Sequence, residues 1–211
     1  MTHTLHRRGT PESLAHDFVI HAMPAKGINK DGARPKLQGF LRTVRKYKPV
    51  NTGDGKRGNQ FALDPDDMYE NLSTITHAVL TDADDLAEVL KELKEADYGM
   101  SITTSGLFDK LFECCRKAGI TPHAMEYSLG VLGRTEKLPE PEIAQITTMC
   151  GHAMVSQGLV RRLIRKIKQG EITPEEAGVE LAKPCQCGVF NPVRAAELLT
   201  EYCALFSVSV K

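Results

Sequence analysis

The stretch HAVLTDADDLAEVLKELKEADYGMSITTS (77–105) decides the fold class. Its first six residues, with Ala78, Val79 and Leu80 together, begin a βα unit with a stretch of strand length. Leu86, Val89, Leu90 and Leu93 then recur at helical spacing, with Thr81 or Asp82 placed to cap the first turn. GMSITTS (99–105) returns to a strand pattern. Upstream, DFVIHAM (17–23) is a short buried strand, and ARPKLQGFLRTVRKYK (33–48) carries Leu37, Phe40, Leu41 and Val44 on one helical face. Downstream, LFDKLFECCRKAG (107–119) reads as a helix closed by Gly119, and PHAMEYSLG (122–130) as a further strand. Strand and helix alternating at this spacing predict an α/β fold with a small parallel or mixed sheet covered by helices.

Beyond RTEKLPEPEIAQ (134–145), whose prolines and charges read as a connection, only helical patterns remain. Val155, Leu159, Leu163 and Ile167 share one face; Thr173-Pro174 and Asn191-Pro192 are each a cap followed by proline at the first helical position. The expected division is an α/β domain over 1–135 and a helical C-terminal cap over 136–211 that bears most of the cysteines and binds a metal or cluster. Between the first helix and the second strand, KPVNTGDGKRGNQFALDPDD (48–67) is polar, glycine-rich and longer than ordinary connections, so it reads as mobile or functional. Its GDGKRG (53–58) matches G-x-G-x-x-G, but with no strand read into it and no βαβ unit around it a dinucleotide site is rejected.

Composition narrows the functional classes. Twenty-seven basic residues balance twenty-seven acidic ones, so bulk charge favours neither nucleic acid nor an anionic membrane. No stretch approaches the ~20 apolar residues that span a bilayer, and the first residues lack a signal-peptide core. The expected location is the cytoplasm. In that reducing compartment the six cysteines point to metal ligation or thiol chemistry before disulfides.

The cysteines differ in setting. Cys185-Gln-Cys187-Gly188 lies between Pro184 and Asn191-Pro192, on a tight turn between two helices and off any apolar stripe. Two thiols one residue apart can face a common centre when the backbone turns, and Gly188 permits close backbone approach. Cys150, in MCGH (149–152), is expected at a helix start, where free N–H groups and the dipole lower a thiol's pKa. The two turns bracket a helical hairpin that would bring them together. Cys150, Cys185 and Cys187 are therefore the expected ligands of an oxygen-sensitive iron–sulfur cluster, in the first instance 4Fe-4S, with zinc as the alternative metal. The fourth position falls to His152, Cys114, Cys115 or a substrate. Cys115 and Cys203 continue apolar stripes, Cys203 beside Leu199 and Phe206, and read as core.

His21, His77, His123 and His152 are each followed by alanine, and three of them fall in or at the start of expected strands. Without H-x-H or H-x-x-x-H spacing they read first as core histidines bonded to backbone and second as a metal site. In a parallel sheet the loops after the strands gather at one edge, which nominates Lys26, Ser105 and Arg134 for binding a small anionic substrate. The basic side of the helix with Arg161, Arg162, Arg165, Lys166 and Lys168 suits a redox partner or a solvated face. Oligomerisation into a homo-oligomer is open.

MCGH (149–152) resembles the cysteine turn of the proline racemase and diaminopimelate epimerase enzymes, in which a helix-start cysteine removes an α-proton. The likeness covers four residues, the second cysteine motif of that family is absent and CQCG has no role there, so it reads as convergent use of the same thiolate physics. The sequence thus yields three functional expectations. The first is an iron–sulfur or other metal-binding protein performing redox or Lewis-acid chemistry. The second is a cofactor-free enzyme with Cys150 as thiolate nucleophile or base and His152 beside it. The third is a zinc-stabilised interaction or metal-handling module.

Overall fold

The structure is a computed structural model that describes the backbone of residues 2–207 and the side chains of residues 3–204; the packing expected for Phe206 lies outside the described side chains. Five strands form one sheet: β1 (Phe18–Met23), β2 (Asn51–Asp54), β3 (Gly58–Asn59), β4 (Thr76–Leu80) and β5 (Ser101–Ser105), in the order β3-β2-β4-β1-β5. Every neighbouring pair is antiparallel.

The expected parallel or mixed sheet is therefore corrected to an all-antiparallel one. Helix α4 (Ala83–Ala96) does connect β4 to β5, and these strands run in the same direction, since both oppose β1. They are not neighbours, because β1 lies between them. A strand–helix–strand pattern sets the direction of consecutive strands and leaves their adjacency open.

Residue alternation on the strands sorts the core into two layers. Phe18, Ile20, Ala22, Ala78 and Leu80 face α2 (Arg34–Arg45), α4 and α5 (Phe108–Lys117), which contribute Leu37, Phe40, Leu41, Leu86, Leu90, Leu111 and Cys114. On the opposite face Val19 and Val79 pack with α6 (Pro141–Thr147), α7 (Gln157–Lys168), α8 (Pro174–Ala182) and α9 (Pro192–Ser207). The helical C-terminal portion is thus the second covering layer of the sheet. Caps hold these helices: Asp82 accepts from the Asp84 and Asp85 amides, Thr173 and Glu176 form a reciprocal capping box, and Asn191 Oδ1 accepts from Arg194 N at 3.0 Å.

Two local expectations change. Residues 121–132 form no strand; most are exposed, with Met125, Tyr127, Leu129 and Leu132 on the surface. Two prolines did not stop α6 either, because Pro141 is its first residue, where a missing N–H costs nothing.

The segment before β1 is tied down by charge. Asp17, fully buried, accepts from Arg7 Nη1 and from Arg194 Nη1 at 3.0 Å, while Asn191 Nδ2 donates to it at 3.2 Å. Arg194 also donates to Ser13 Oγ at 2.9 Å and Arg8 O at 2.6 Å. Burial pushes the Asp17 carboxyl up, yet Arg7 and Arg194 outweigh it and hold the group below its free value.

Asp17→Asn is expected to cost about 3–5 kcal/mol, because two buried guanidiniums lose their counter-ion. The carboxylate's contribution is complete above about pH 4, its unfolded value, and is lost as pH falls through the depressed folded value. Denaturant midpoints of wild type and variant should therefore converge in acid, and a constant gap would contradict this account.

Candidate metal centre

The Cys150 turn and the CQCG turn meet on the sheet face covered by α6–α9. Helices α7 and α8 leave and return between them, so Cys150, after α6, and Cys185, after α8, come near enough for each thiol to shift the other's ionisation, as Cys185 and Cys187 also do. All three sulfurs are buried. Nearby backbone amides favour their ionised forms: those of His152 and Met154 for Cys150, and that of Val189 for both Cys185 and Cys187. Amide donors of this kind stabilise thiolate, whether free or metal-bound.

Histidines continue the row. The Cys187 Sγ lies 3.7 Å from His152 Nδ1 and 3.9 Å from His3 Nε2, and the two rings stack at 4.5 Å. These three donor atoms lie within 4.8 Å of one another and can hold a metal ion. His3 meets His77 edge to face at 5.8 Å, and His77 meets His21 at 5.4 Å. His21 and His77 face each other directly across β1 and β4. Seven groups thus run in a continuous line from Cys150 to His21.

Protonation follows burial and contact. The Cys185 thiol and burial hold Cys150 well above the ordinary cysteine range. The Cys150 thiol lowers Cys185, but Cys187 and burial prevail and push it up to about 11. The Cys185 thiol and the Val189 amide lower Cys187 against its burial. Burial, then the nearby His152, lowers His3 to about 4, and burial lowers His21 to about 3. Burial, then His21 and His3, keeps His77 well below its ordinary value. The imidazoles of His3, His21 and His77 are therefore neutral at physiological pH, the form that binds metal.

Tight backbone packing supports this line. A Cβ on Gly151 would come within 1.6 Å of the His3 carbonyl oxygen, so the N-terminal segment crosses directly over that glycine. A Cβ on Gly53 would meet Cys187 O at 2.7 Å, and one on Gly188, at φ +73°, would meet Gly53 N at 2.6 Å. The 48–67 segment is thus a built part of the site: β2 and β3 form a hairpin against the CQCG turn. Asn59 Nδ2 donates to the carbonyls of Ala182, Lys183 and Cys185, Asn51 Nδ2 to Phe190 O at 2.8 Å, and Gln186 Nε2 to Lys56 O at 3.0 Å. Arg7 completes the clamp, donating to Met149 O at 3.2 Å and to Val189 O.

Other expected site residues lie elsewhere. Cys150 follows α6 and does not begin a helix, which removes the dipole argument for a lowered pKa. Cys114 packs in the opposite core layer and donates to Ala83 O, across the sheet from Cys150, Cys185 and Cys187. With an antiparallel sheet the shared loop edge dissolves: Lys26 follows Met23, which pairs with Ser101, whereas Ser105 pairs with Val19 at the other end. Arg134 sits in the exposed stretch before Thr135. Neither ring nitrogen of His77 has a partner among the described residues, and neither does His21 Nδ1, so hydrogen bonding to backbone does not explain His77. His3 was not singled out from sequence, since MTHTL offers no spacing signal.

Gly151→Ala is expected to displace the His3 backbone and to destabilise by at least the ~1–3 kcal/mol of an overpacked core. Asn59→Ala should cost about 1–3 kcal/mol by stranding buried carbonyls, and should speed alkylation of Cys187; an unchanged rate would separate the hairpin from the turn. Among the described residues no helix is long and apolar enough to cross a membrane. No protein-family model, curated protein or solved structure matches this chain.

Proposed function

We propose that the chain carries an iron–sulfur cluster on Cys150, Cys185 and Cys187, with His3 and His152 at its open side, and uses it for redox or Lewis-acid chemistry. The observation that carries this reading is the amide-lined row of three buried thiols. Adjacent buried thiols resist ionising together, yet the amides near them favour the ionised form. A cationic centre reconciles the two. The extent of the row supports a polynuclear centre. One tetrahedral ion needs donors roughly 3.3–3.8 Å apart, given its bond lengths. The mutually close group stops at His3, His152 and Cys187, with Cys150 and Cys185 beyond it.

Buried charge agrees. Arg7 and Arg194 outnumber Asp17, and Arg7 bonds the carbonyls of Met149 and Val189, so a surplus positive charge sits behind the thiols. A mostly apolar hollow of about 380 Å³ next to Thr147 and Thr148, lined also by His6, Val131, Leu132 and Leu138, with Arg8 contributing a guanidinium, lies near the Cys150 turn.

A second reading, a single zinc ion on His3, His152 and Cys187, is favoured by the 3.7 and 3.9 Å donor distances, which suit one ion after small adjustment. The cofactor-free alternative needs a thiolate at Cys150, which Cys185 and burial oppose.

Anaerobic purification followed by absorption and metal analysis tests the proposal. Iron with matching acid-labile sulfide and a visible sulfur-to-iron charge-transfer band is expected. Zinc alone would select the second reading, and a metal-free protein would sink both. Cys185→Ala and Cys187→Ala should lose the iron, whereas Cys203→Ala should retain it.

A further inference from the structure

We propose that His77 is a ligand of the same centre, supplied from strand β4, and that His21 is the outer partner that orients it. This rests on the second reading above, in which a single ion sits on His3, His152 and Cys187. His77 is 1% exposed, and neither of its ring nitrogens has a partner among the described residues. Its strand position puts it on the face with Val79, toward the cysteine turns. There it meets the His3 ring edge to face at 5.8 Å; its nitrogens lie outside the 4.8 Å group of His3, His152 and Cys187, so ligation requires these rings to close on the ion.

That group supplies three donors, one short of the usual tetrahedral set. A histidine that binds metal through one ring nitrogen normally donates its other N–H to an acceptor. His21 Nδ1 is the acceptor at hand: buried, unpartnered, directly across the strand pair, with the ring centre 5.4 Å away. One metal therefore accounts for all three unpartnered imidazole nitrogens at once. One nitrogen of His77 binds it, and the other donates to His21. A core role explains none of them, since burying an imidazole without partners opposes folding.

The test is titration of the reduced, metal-free full-length protein with Co²⁺, read by thiolate-to-cobalt charge-transfer and ligand-field bands. Loss of an outer partner typically weakens metal binding by about 10–100-fold, which is the expectation for His21→Phe; loss of the ligand in His77→Phe should exceed it. In the metal-free state His77→Phe should melt at or above the wild-type temperature, because it removes the stranded nitrogens. A merely structural histidine would instead lower that temperature and leave Co²⁺ affinity alone. His77→Gln, closer in polarity, repeats the affinity measurement should the phenylalanine variant fail to fold. Wild-type affinity and spectrum in a folded His77 variant would overturn the assignment. The underlying reading fails separately, if Cys187→Ser still binds Co²⁺ with the wild-type spectrum.

Discussion

The buried Asp17 carboxylate, shared between Arg7 and Arg194, is the constraint on which the rest of the molecule depends. It joins three parts of the chain that no regular hydrogen-bond ladder connects: the segment before β1, the entry to β1 and the start of α9. Through the second arm of Arg7 the same network reaches the carbonyls of Met149 and Val189, which flank the two cysteine turns. Desolvating three charges is costly, and their mutual attraction offsets that cost only where the geometry and the added hydrogen bonds are good. Here the geometry is the one that lays His3 across Gly151 and beside Cys187.

The sheet sits between two unlike layers. One is a conventional apolar core of α2, α4 and α5. The other contains the sulfur and imidazole row, and its polar members occupy positions an ordinary core would fill with aliphatic side chains. His21 and His77 follow the same alternation as Val19 and Val79, so their orientation is a consequence of strand register.

Much of this was legible in the sequence because it is local. The apolar stripes of α2, α4 and α5, the caps at Asp82, Thr173 and Asn191, and the proximity of the Cys150 and CQCG turns all follow from spacing over a few residues or from one helical hairpin. What was not legible is set at a distance. Strand adjacency is decided by the insertion of β1 between β4 and β5, and nothing within residues 77–105 records that. The 48–67 segment looked like a loop because β2 and β3 together have six residues, two of them glycine, and its order comes from Asn51 and Asn59 bonding carbonyls more than a hundred positions away. Gly53 illustrates the confusion: it opens the G-x-G-x-x-G match, yet the Cys187 backbone passes so close to it that a side chain would not fit.

The crossing of His3 over Gly151 also carries an entropic cost. His3 and Cys187 are separated by 184 positions, so their contact closes a loop nearly as long as the described chain. Closing a loop of that span costs more chain entropy than any local contact in the molecule, and the packing at its two ends must offset it. During synthesis His3, Gly151 and His152 all precede Cys185 and Cys187, so the imidazole side of the row is present in the chain before its last two thiols are added.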